Sequence, residues 1–285
     1  MAKSPRLSVA LATYNEEANI AACLKAVKDI ANEIIVVDGS STDNTRKIAR
    51  KLGAKVFKTT NKPIFHLNKN LAIKKCTSDW IYQLDADEIT TKELAKEIKS
   101  IVTGQHLGFT DWKAQQVYLE TKKPPTAYWI KRKNLFLNRY LNKSGQYPDP
   151  SIRLFKRGKA ILPAKSVHEH MRVDGPIAWL ASDMLHNATP NFSRYLQREN
   201  RYSSLTAQEL KDQGISINPF TFVNHIFIKP SITFLLIYGR HKGFQDGFPG
   251  FVFALFSALH HPLSYIKLWE LRKNNRQINL SADWN

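Results

Sequence analysis

The stretch EIIVVDGSSTDNTRKIARKLG, residues 33–53, decides the fold. Its first part, residues 33–39, is a near-continuous apolar run closed by Asp-Gly, the pattern of a strand buried on both faces. The part that follows opens on Ser, Thr and Asp, which favour helix N-termini, and stops at Gly53, a helix terminator. A buried strand leading directly into a helix is half of a βαβ unit, and the flanking sequence repeats the theme. Upstream, LSVALATY (7–14) is a short β-rich run, and EEANIAACLKAVKDI (16–30) sets Ile20, Leu24, Val27 and Ile30 at helical spacing behind a cap at Asn15. Downstream, AKVFKT, HLNKNLAIKKC and WIYQLDADE predict a third strand, a third helix and a fourth strand. The expectation is an α/β protein with a mostly parallel, doubly wound sheet and helices on both faces.

In such sheets ligands bind at the carboxyl ends of the strands. Three polar clusters fall there: Thr13-Tyr14-Asn15-Glu16, Asp38-Gly39-Ser40-Ser41 and Asp85-Ala86-Asp87. They are expected to line one edge of the sheet and form a site. Asp85 and Asp87, two residues apart at the mouth of a strand, offer oxygen ligands of the kind that suits Mg²⁺ or Mn²⁺, with water and substrate phosphates completing the shell. The same acids, with Glu88 beside them, would also serve as the acidic first turn of the helix predicted in EITTKELAKEI.

This knot of negative charge stands in a basic chain. Among 285 residues, 42 Lys and Arg against 24 Asp and Glu leave a net charge of +18, a surface drawn to polyanions, nucleotides, phosphorylated glycans or anionic membranes. At 43% hydrophobic the chain can bury a real core, so disorder is excluded as its main theme. Cys23 and Cys76 are too far apart for a zinc or redox motif and read as structural thiols of a reducing compartment. The N-terminal apolar run lacks a small-residue cleavage site, which makes the cytosol the expected location. From about residue 105 the βα rhythm fades, and 120–175 carries most of the positive field among prolines and aromatics. The tail, 217–273, holds two aromatic-rich apolar stretches. Lys229-Pro230 is expected to break the first, and the second, from Phe248 to Pro262, is shorter than the ~20 residues that span a bilayer. Interfacial or re-entrant attachment fits this better than spanning, and a pair of helices packed on the sheet domain is an equally open reading of the tail.

SVALATYNEEANI, EIIVVDGSSTDNT and NLAIKKCTSDWIYQLDADE resemble, in order and spacing, the nucleotide-sugar domain of family 2 glycosyltransferases, which have the Rossmann-like GT-A fold. Further on, RLFKRGKAILPAKSVHEHMRVDG, DMLHN and GFQDGFPGFVFALFSA resemble the subgroup that adds β-glucose to the heptose of the lipopolysaccharide inner core, together with related envelope-glycan transferases. The resemblance implies a catalytic domain over 1–215, with an acceptor side at about 116–215, and a helical, membrane-associating extension over 216–285. It implies that Asp85 and Asp87 act as the metal-binding pair, with Asp85 and Ala86 also close to the ribose, and that His186 is a third metal ligand. It assigns Asp38 with Thr13, Tyr14, Asn15 and Glu16 to uracil and ribose, and Lys69 and Asn70 to a helix closing over the nucleotide. Arg132, Arg153 and His168 are then placed to reach phosphates of donor or acceptor. Glu169 matches the family's general base, so direct displacement would invert the anomeric centre.

The implied activity is metal-dependent transfer of a hexose, glucose from UDP-glucose, to an envelope glycan or lipopolysaccharide-core acceptor. The implied partners are a nucleotide sugar, a glycan or glycolipid acceptor and an anionic membrane surface, for an enzyme peripheral on the inner face of the cytoplasmic membrane. A polyprenyl-phosphate acceptor is the nearest alternative. A nucleic-acid binder, suggested by Trp129 and Tyr140 among basic residues, would leave the three strand-end clusters without a purpose, so no nucleic-acid partner is expected.

Overall fold

The computed structural model describes residues 5–62, 64–105, 112–163, 170–187, 189 and 191–273. These fall into two compact units, one within Met1–Lys133 and Asp149–Ala188, the other within Asn134–Pro148 and Thr189–Asn285.

The first unit begins with the predicted alternation of strands and helices, except that the first helix starts at Ile20 behind Asn19, Asn15 being taken into a left-handed turn instead of a cap. Strands β1 (Leu7–Thr13), β2 (Glu33–Asp38), β3 (Lys55–Lys58) and β4 (Trp80–Leu84) alternate with helices α1 (Ile20–Val27), α2 (Thr45–Lys51) and α3 (Phe65–Lys75). β1 pairs in parallel with β2 and β4, and β2 with β3, which gives the order β3-β2-β1-β4. Register does the positioning. Thr13 lies opposite Asp38, and Leu11 opposite Leu84, so β1, β2 and β4 all end at one level and release their polar clusters side by side. β2 is buried at every position, as the unbroken apolar run requires. Burying each such Ile, Val or Leu contributes about 1.5–3 kcal/mol.

The second half of the sheet is joined to β4 through antiparallel pairs. Short β5 (Glu88–Thr90) leads into α4 (Lys92–Val102), whose N-terminus is capped by Thr91 accepting from the Leu94 amide. After α5 (Trp112–Thr121) come β6 (Ala127–Phe136), β7 (Arg139–Tyr140), β8 (Asp149–Lys156), the small hairpin β9 (Ala160–Ile161) and β10 (Arg172–Val173), and β11 (Ile177–His186). β8 enters beside β4 and pairs with it and with β6 antiparallel, β11 follows β6, and β5 closes the row against β11. No crossover helix separates β6 from β8, so antiparallel pairing is the arrangement open to them. The sheet is therefore mixed, with helices on both faces. One face packs on Ile20, Leu24 and Val27 of α1 and Leu94 and Ile98 of α4, the other on Ala72 of α3, Leu162 and Met171.

The second unit is helical after the β6–β7 turn. α6 (Phe192–Asp212) is followed by a helix over Pro219–Arg240 and another over Gly247–Lys273. Lys229-Pro230 does not break the first of these, contrary to expectation. The chain widens into a π-helical turn over Asn224–Ile228, so the residue without an N–H falls at a π-to-α junction, where no ordinary bond to the fourth residue back is lost. The second helix likewise continues through Pro262 to 27 residues. The turn between them is held by buried Asp246, whose carboxylate accepts from the amides of Asn142 and Lys143 at 3.1 and 2.9 Å and from Ser144 Oγ at 3.0 Å.

A buried acid on the first unit gives a pH prediction. Burial would raise the Glu33 carboxyl, but hydrogen bonds from Ser8, from the amide and hydroxyl of Thr77 and from Lys55 bring it down to about 2. A depressed carboxyl stabilises the fold above its unfolded value and loses that contribution as pH falls towards 2. Glu33→Gln should lower stability by roughly 2 kcal/mol at neutral pH, and the gap from wild type should close between about pH 5 and pH 2 in denaturant titrations. A gap independent of pH would assign the loss to packing.

Candidate active site

The site is built at the level where β1, β2 and β4 end. At the β1 and β2 ends, Asp38 is fully buried and accepts from Thr13 Oγ1 at 3.0 Å, Ser41 Oγ at 2.5 Å and the Ser41 amide at 2.9 Å, with Arg46 Nε 3.5 Å away. Asn15 and Ser40 turn the chain here in the left-handed region, with φ of 54° and 69°, a conformation that costs a non-glycine residue free energy and clusters at ligand sites. Asn15 is held by its amide donating to Ser41 Oγ and its side chain accepting from the Thr42 amide. The Glu16 amide donates to Thr45 Oγ1, which ties this loop to the start of α2. Tyr14 is half-exposed beside them. The two loops form one polar floor.

At the β4 end the acids are not a loose solvated knot. Glu88 is fully buried: its Oε2 accepts from the Asp85 amide at 2.9 Å, and its Oε1 faces Arg153, at very short range, and Arg132 at 3.4 Å. Arg153, itself buried, donates one NH2 to both Asp85 Oδ2, at 2.8 Å, and Glu88, and its NH1 to Gln83. Asp85 Oδ1 meets Lys69 Nζ from α3 at 2.5 Å. Burial alone would push the Asp85 carboxyl up, but the charges of Arg153 and Lys69 hold it well below the usual carboxylate range. The same acids, against the cost of burial, keep the Arg153 guanidinium charged. Beneath them Cys23 reaches the Asp85 carbonyl at 3.5 Å, its thiol pushed far up by burial and by the neighbouring acids, which makes it inert.

Asp87 points elsewhere. Its carboxylate lies 3.5 Å from Nε2 of His186, at the end of β11, and the Asn187 amide donates to its carbonyl at 2.8 Å. Burial works against its charge, and the hydrogen bond and electrostatic attraction of His186 bring its carboxyl below the ordinary value. Among the described residues no Lys or Arg pairs with Asp87. Ala86, between the two acids, is buried. Strand β11 thus carries a ring nitrogen from late in the chain to a carboxylate 99 positions earlier, because β5 pairs with it in the register Glu88 to His186.

Of the residues singled out in the sequence, Thr13, Asn15, Glu16 and Asp38 share the first floor, and Lys69, Asp85, Asp87, His186, Arg132 and Arg153 gather around β4. Both arginines are engaged on carboxylates, Arg132 also by a 2.8 Å bond to Asp149 Oδ2. Asn70 spends its side chain on both backbone atoms of Leu162. Glu169 and His168 lie outside the described residues. Read from the sequence, Glu88 belongs only to an acidic first helical turn, and Gln83 has no role. The signal was Arg153 itself, because a charge inside the apolar run Ile152, Leu154, Phe155 needs a buried partner.

Among the described residues no three His, Cys, Asp or Glu side chains come together as a ready metal cage. Asp87 and His186 provide one carboxylate and one imidazole, a donor pair suited to Mn²⁺ and tolerable for Mg²⁺.

Residues 8–161 match the profile described as Glycosyl transferase family 2. The chain is 31% identical to an uncharacterized glycosyltransferase of Rickettsia typhi, over 98% of this chain and 92% of that one. It is 25% identical to the lipopolysaccharide core biosynthesis glycosyltransferase LpsC of Rhizobium meliloti, over 93% of this chain and 92% of that one. Among solved structures, S. aureus TarS 1–349 in complex with UDP superposes with a TM-score of 0.43 at 16% identity, over 96% of this chain and 93% of that chain, too loosely to transfer any residue's role.

The buried cluster predicts a large stability effect. Arg153→Ala leaves Glu88 without its main counter-charge and should cost about 3–5 kcal/mol, read as a fall in the denaturant midpoint. Arg153→Lys should recover only part of it, since an ammonium cannot serve Gln83, Asp85 and Glu88 together. Full recovery with lysine would mean that charge alone matters there.

Proposed function

This chain belongs to glycosyl transferase family 2, and on that premise we propose that it is a metal-dependent, inverting hexosyltransferase moving glucose from UDP-glucose to a cell-envelope glycan or lipopolysaccharide-core acceptor. The observation that carries the reading is the pairing of Asp87 with His186 beside an Asp85 already neutralised by Lys69 and Arg153, at the same sheet edge as the buried Thr13 of β1 and Asp38 of β2. The relative LpsC, a lipopolysaccharide core enzyme by name, supports the choice of acceptor.

In this reading Asp38, Thr13, Tyr14, Asn15 and Glu16 receive the uracil and ribose, in a floor whose hydrogen bonds are already set. Asp85 and Ala86 border the ribose. Lys69 faces the diphosphate side and Asn70 braces α3 against Leu162. Arg132 and Arg153 keep the acids ionised and aimed. Asp87 and His186 would hold Mn²⁺ or Mg²⁺, which when bound neutralises charge on the departing diphosphate. Glu169 removes the proton from the acceptor hydroxyl. The acceptor oxygen then bonds to the anomeric carbon as the bond to the diphosphate oxygen breaks, and the nucleoside diphosphate leaves with the electron pair. A single displacement turns an α-linked donor into a β-linked product. The enzyme works in the cytoplasm, against the anionic inner face of the cytoplasmic membrane, where glycolipid acceptors are presented.

Calorimetric titration with UDP-glucose, UDP, GDP-mannose and ADP-heptose, each with Mn²⁺ and with EDTA, tests the donor. Tight binding of the uridine nucleotides alone, lost with EDTA, is expected; preference for another nucleotide would replace the donor assignment. Asp87→Ala should abolish transfer and the metal dependence of binding. Glu169→Gln should leave donor binding intact while kcat falls roughly 10²-fold or more; an unchanged turnover would move the base elsewhere.

A further inference from the structure

The second unit carries an apolar surface that the catalytic reading does not use. The helix over Pro219–Arg240 is long and apolar enough to cross a membrane by length and composition, yet only 6% of its apolar window is buried. Phe220, Val223, Phe227, Ile228, Ile232 and Leu235 are exposed along it, Phe220 at 77% and Leu235 at 65%. The helix over Gly247–Lys273 adds a second stripe at helical spacing, Phe248, Phe251, Leu259, Leu263, Ile266 and Trp269. The stripes are continuous, since Phe251 stacks edge-on against Phe234 and Tyr238 near the turn, and Phe222 meets Tyr265 towards the open end. There a groove of about 610 Å³ is lined by Ile217, Pro219, Phe222, Ile226, Ile266 and Trp269, among others. Exposed apolar faces this large mark docking surfaces.

Charge identifies the occupant. From Pro219 to Lys273 the chain has Lys229, Arg240, Lys242, Lys267, Arg272 and Lys273 against Asp246 and Glu270, and Asp246 is buried in the turn. Arg240 and Lys242 are exposed at the turn, Arg272 and Lys273 at the open end, with Lys273 over the Trp269 ring at 4.7 Å. An apolar band with cationic ends and an amphipathic indole suits anionic headgroups over acyl chains.

The other side of the hairpin excludes a spanning arrangement. α6 packs along the Gly247–Lys273 helix, and it carries Arg194, Arg198, Glu199, Arg201, Glu209, Lys211 and Asp212. Lys267 donates to Asn200, Ser203 and Ser204 of α6, and His260 meets Thr206 at 3.1 Å and Glu199 at 3.3 Å. Between the hairpin helices His261 meets Thr233 at 2.9 Å, and buried His225, stacked on Tyr265, holds Lys229 of its own helix at 2.9 Å. Hydrocarbon on all sides would strand these charges.

We propose that the hairpin Pro219–Lys273 lies in the plane of an anionic phospholipid bilayer, its exposed stripe among the upper acyl chains and α6 on the aqueous side. The proposal rests on the envelope-glycosyltransferase reading only for which membrane is met. The full-length protein should sediment with phosphatidylglycerol-containing vesicles at least tenfold more strongly than with pure phosphatidylcholine, and added salt should weaken it. Trp269 fluorescence should be quenched more by lipids brominated near the carbonyl end of the chain than near the methyl end, a signal lost in Trp269→Phe. Phe227→Glu with Ile232→Glu should reduce vesicle binding at least tenfold while calorimetric UDP binding stays unchanged, so loss of one function is separable from loss of the other. Equal binding to both lipids, dominant quenching from the methyl end, or a variant that sediments like wild type would each overturn the proposal. The first two need no variant and decide it even where the charged pair proves unstable.

Discussion

Several carboxylates released at the end of one strand repel each other, and each resists burial; the catalytic unit is organised around solving that problem. Arg153 stands in the middle of an otherwise apolar β8 and divides one guanidinium among Gln83, Asp85 and Glu88. Its planar fork suits this, since several donors in fixed directions satisfy several acceptors at a small conformational cost. With Arg153 and Lys69 on Asp85, and Arg132 as a second cation on Glu88, the charge left facing the ligand side is chiefly that of Asp87. The acids at the mouth of β4 therefore divide the work, Glu88 as a buried anchor, Asp85 as a held carboxylate and Asp87 as the one turned towards His186.

That division depends on topology. β8 has to enter beside β4 for Arg153 to arrive under Asp85, and β5 has to pair with β11 for His186 to arrive over Asp87. Both are antiparallel additions to a sheet whose first half is parallel. The parallel half supplies a level edge, because the matched registers of β1 with β2 and β4 bring their polar ends out together. The antiparallel half supplies the two arginines and the imidazole, while Lys69 comes from α3 of the parallel half. Neither half makes the site alone, which accounts for a motif concentrated in the first 90 residues being completed by residues beyond 130.

The helical unit solves a different problem. Its interior packs apolar and aromatic side chains with a few polar pairs, and its hairpin turns a further large apolar face outward, which a helix pair in water does not favour. Its turn is fixed by Asp246 on three donors, so the two stripes are held side by side as one face. Under the proposed docking, such a face would hold the chain at a bilayer surface and raise the local concentration of whatever else is anchored there, without any change in the catalytic groups.

Local pattern alone determined the first half of the fold. Apolar runs of strand length, each closed by Asp, Asn or Gly and followed by helical spacing, leave little besides a parallel sheet, and the place of Asp38, Asp85 and Asp87 at strand ends followed from it. Single-strand chemistry was legible for the same reason, since each cluster lies within a few residues of its strand. What pattern could not determine is which distant residues meet. Arg153 read as a contact for phosphate and is engaged on acids; Glu88 read as part of a charged turn and is the most buried of them; Pro230 read as a break and sits inside a continuous helix. Each depends on a partner or a backbone adjustment set by pairing across 60 residues or more, or by a π turn that no propensity announces. The sequence determines the list of groups present, but counter-charge, burial and the side of a helix that faces water are properties of neighbours, and only the tertiary structure assigns neighbours.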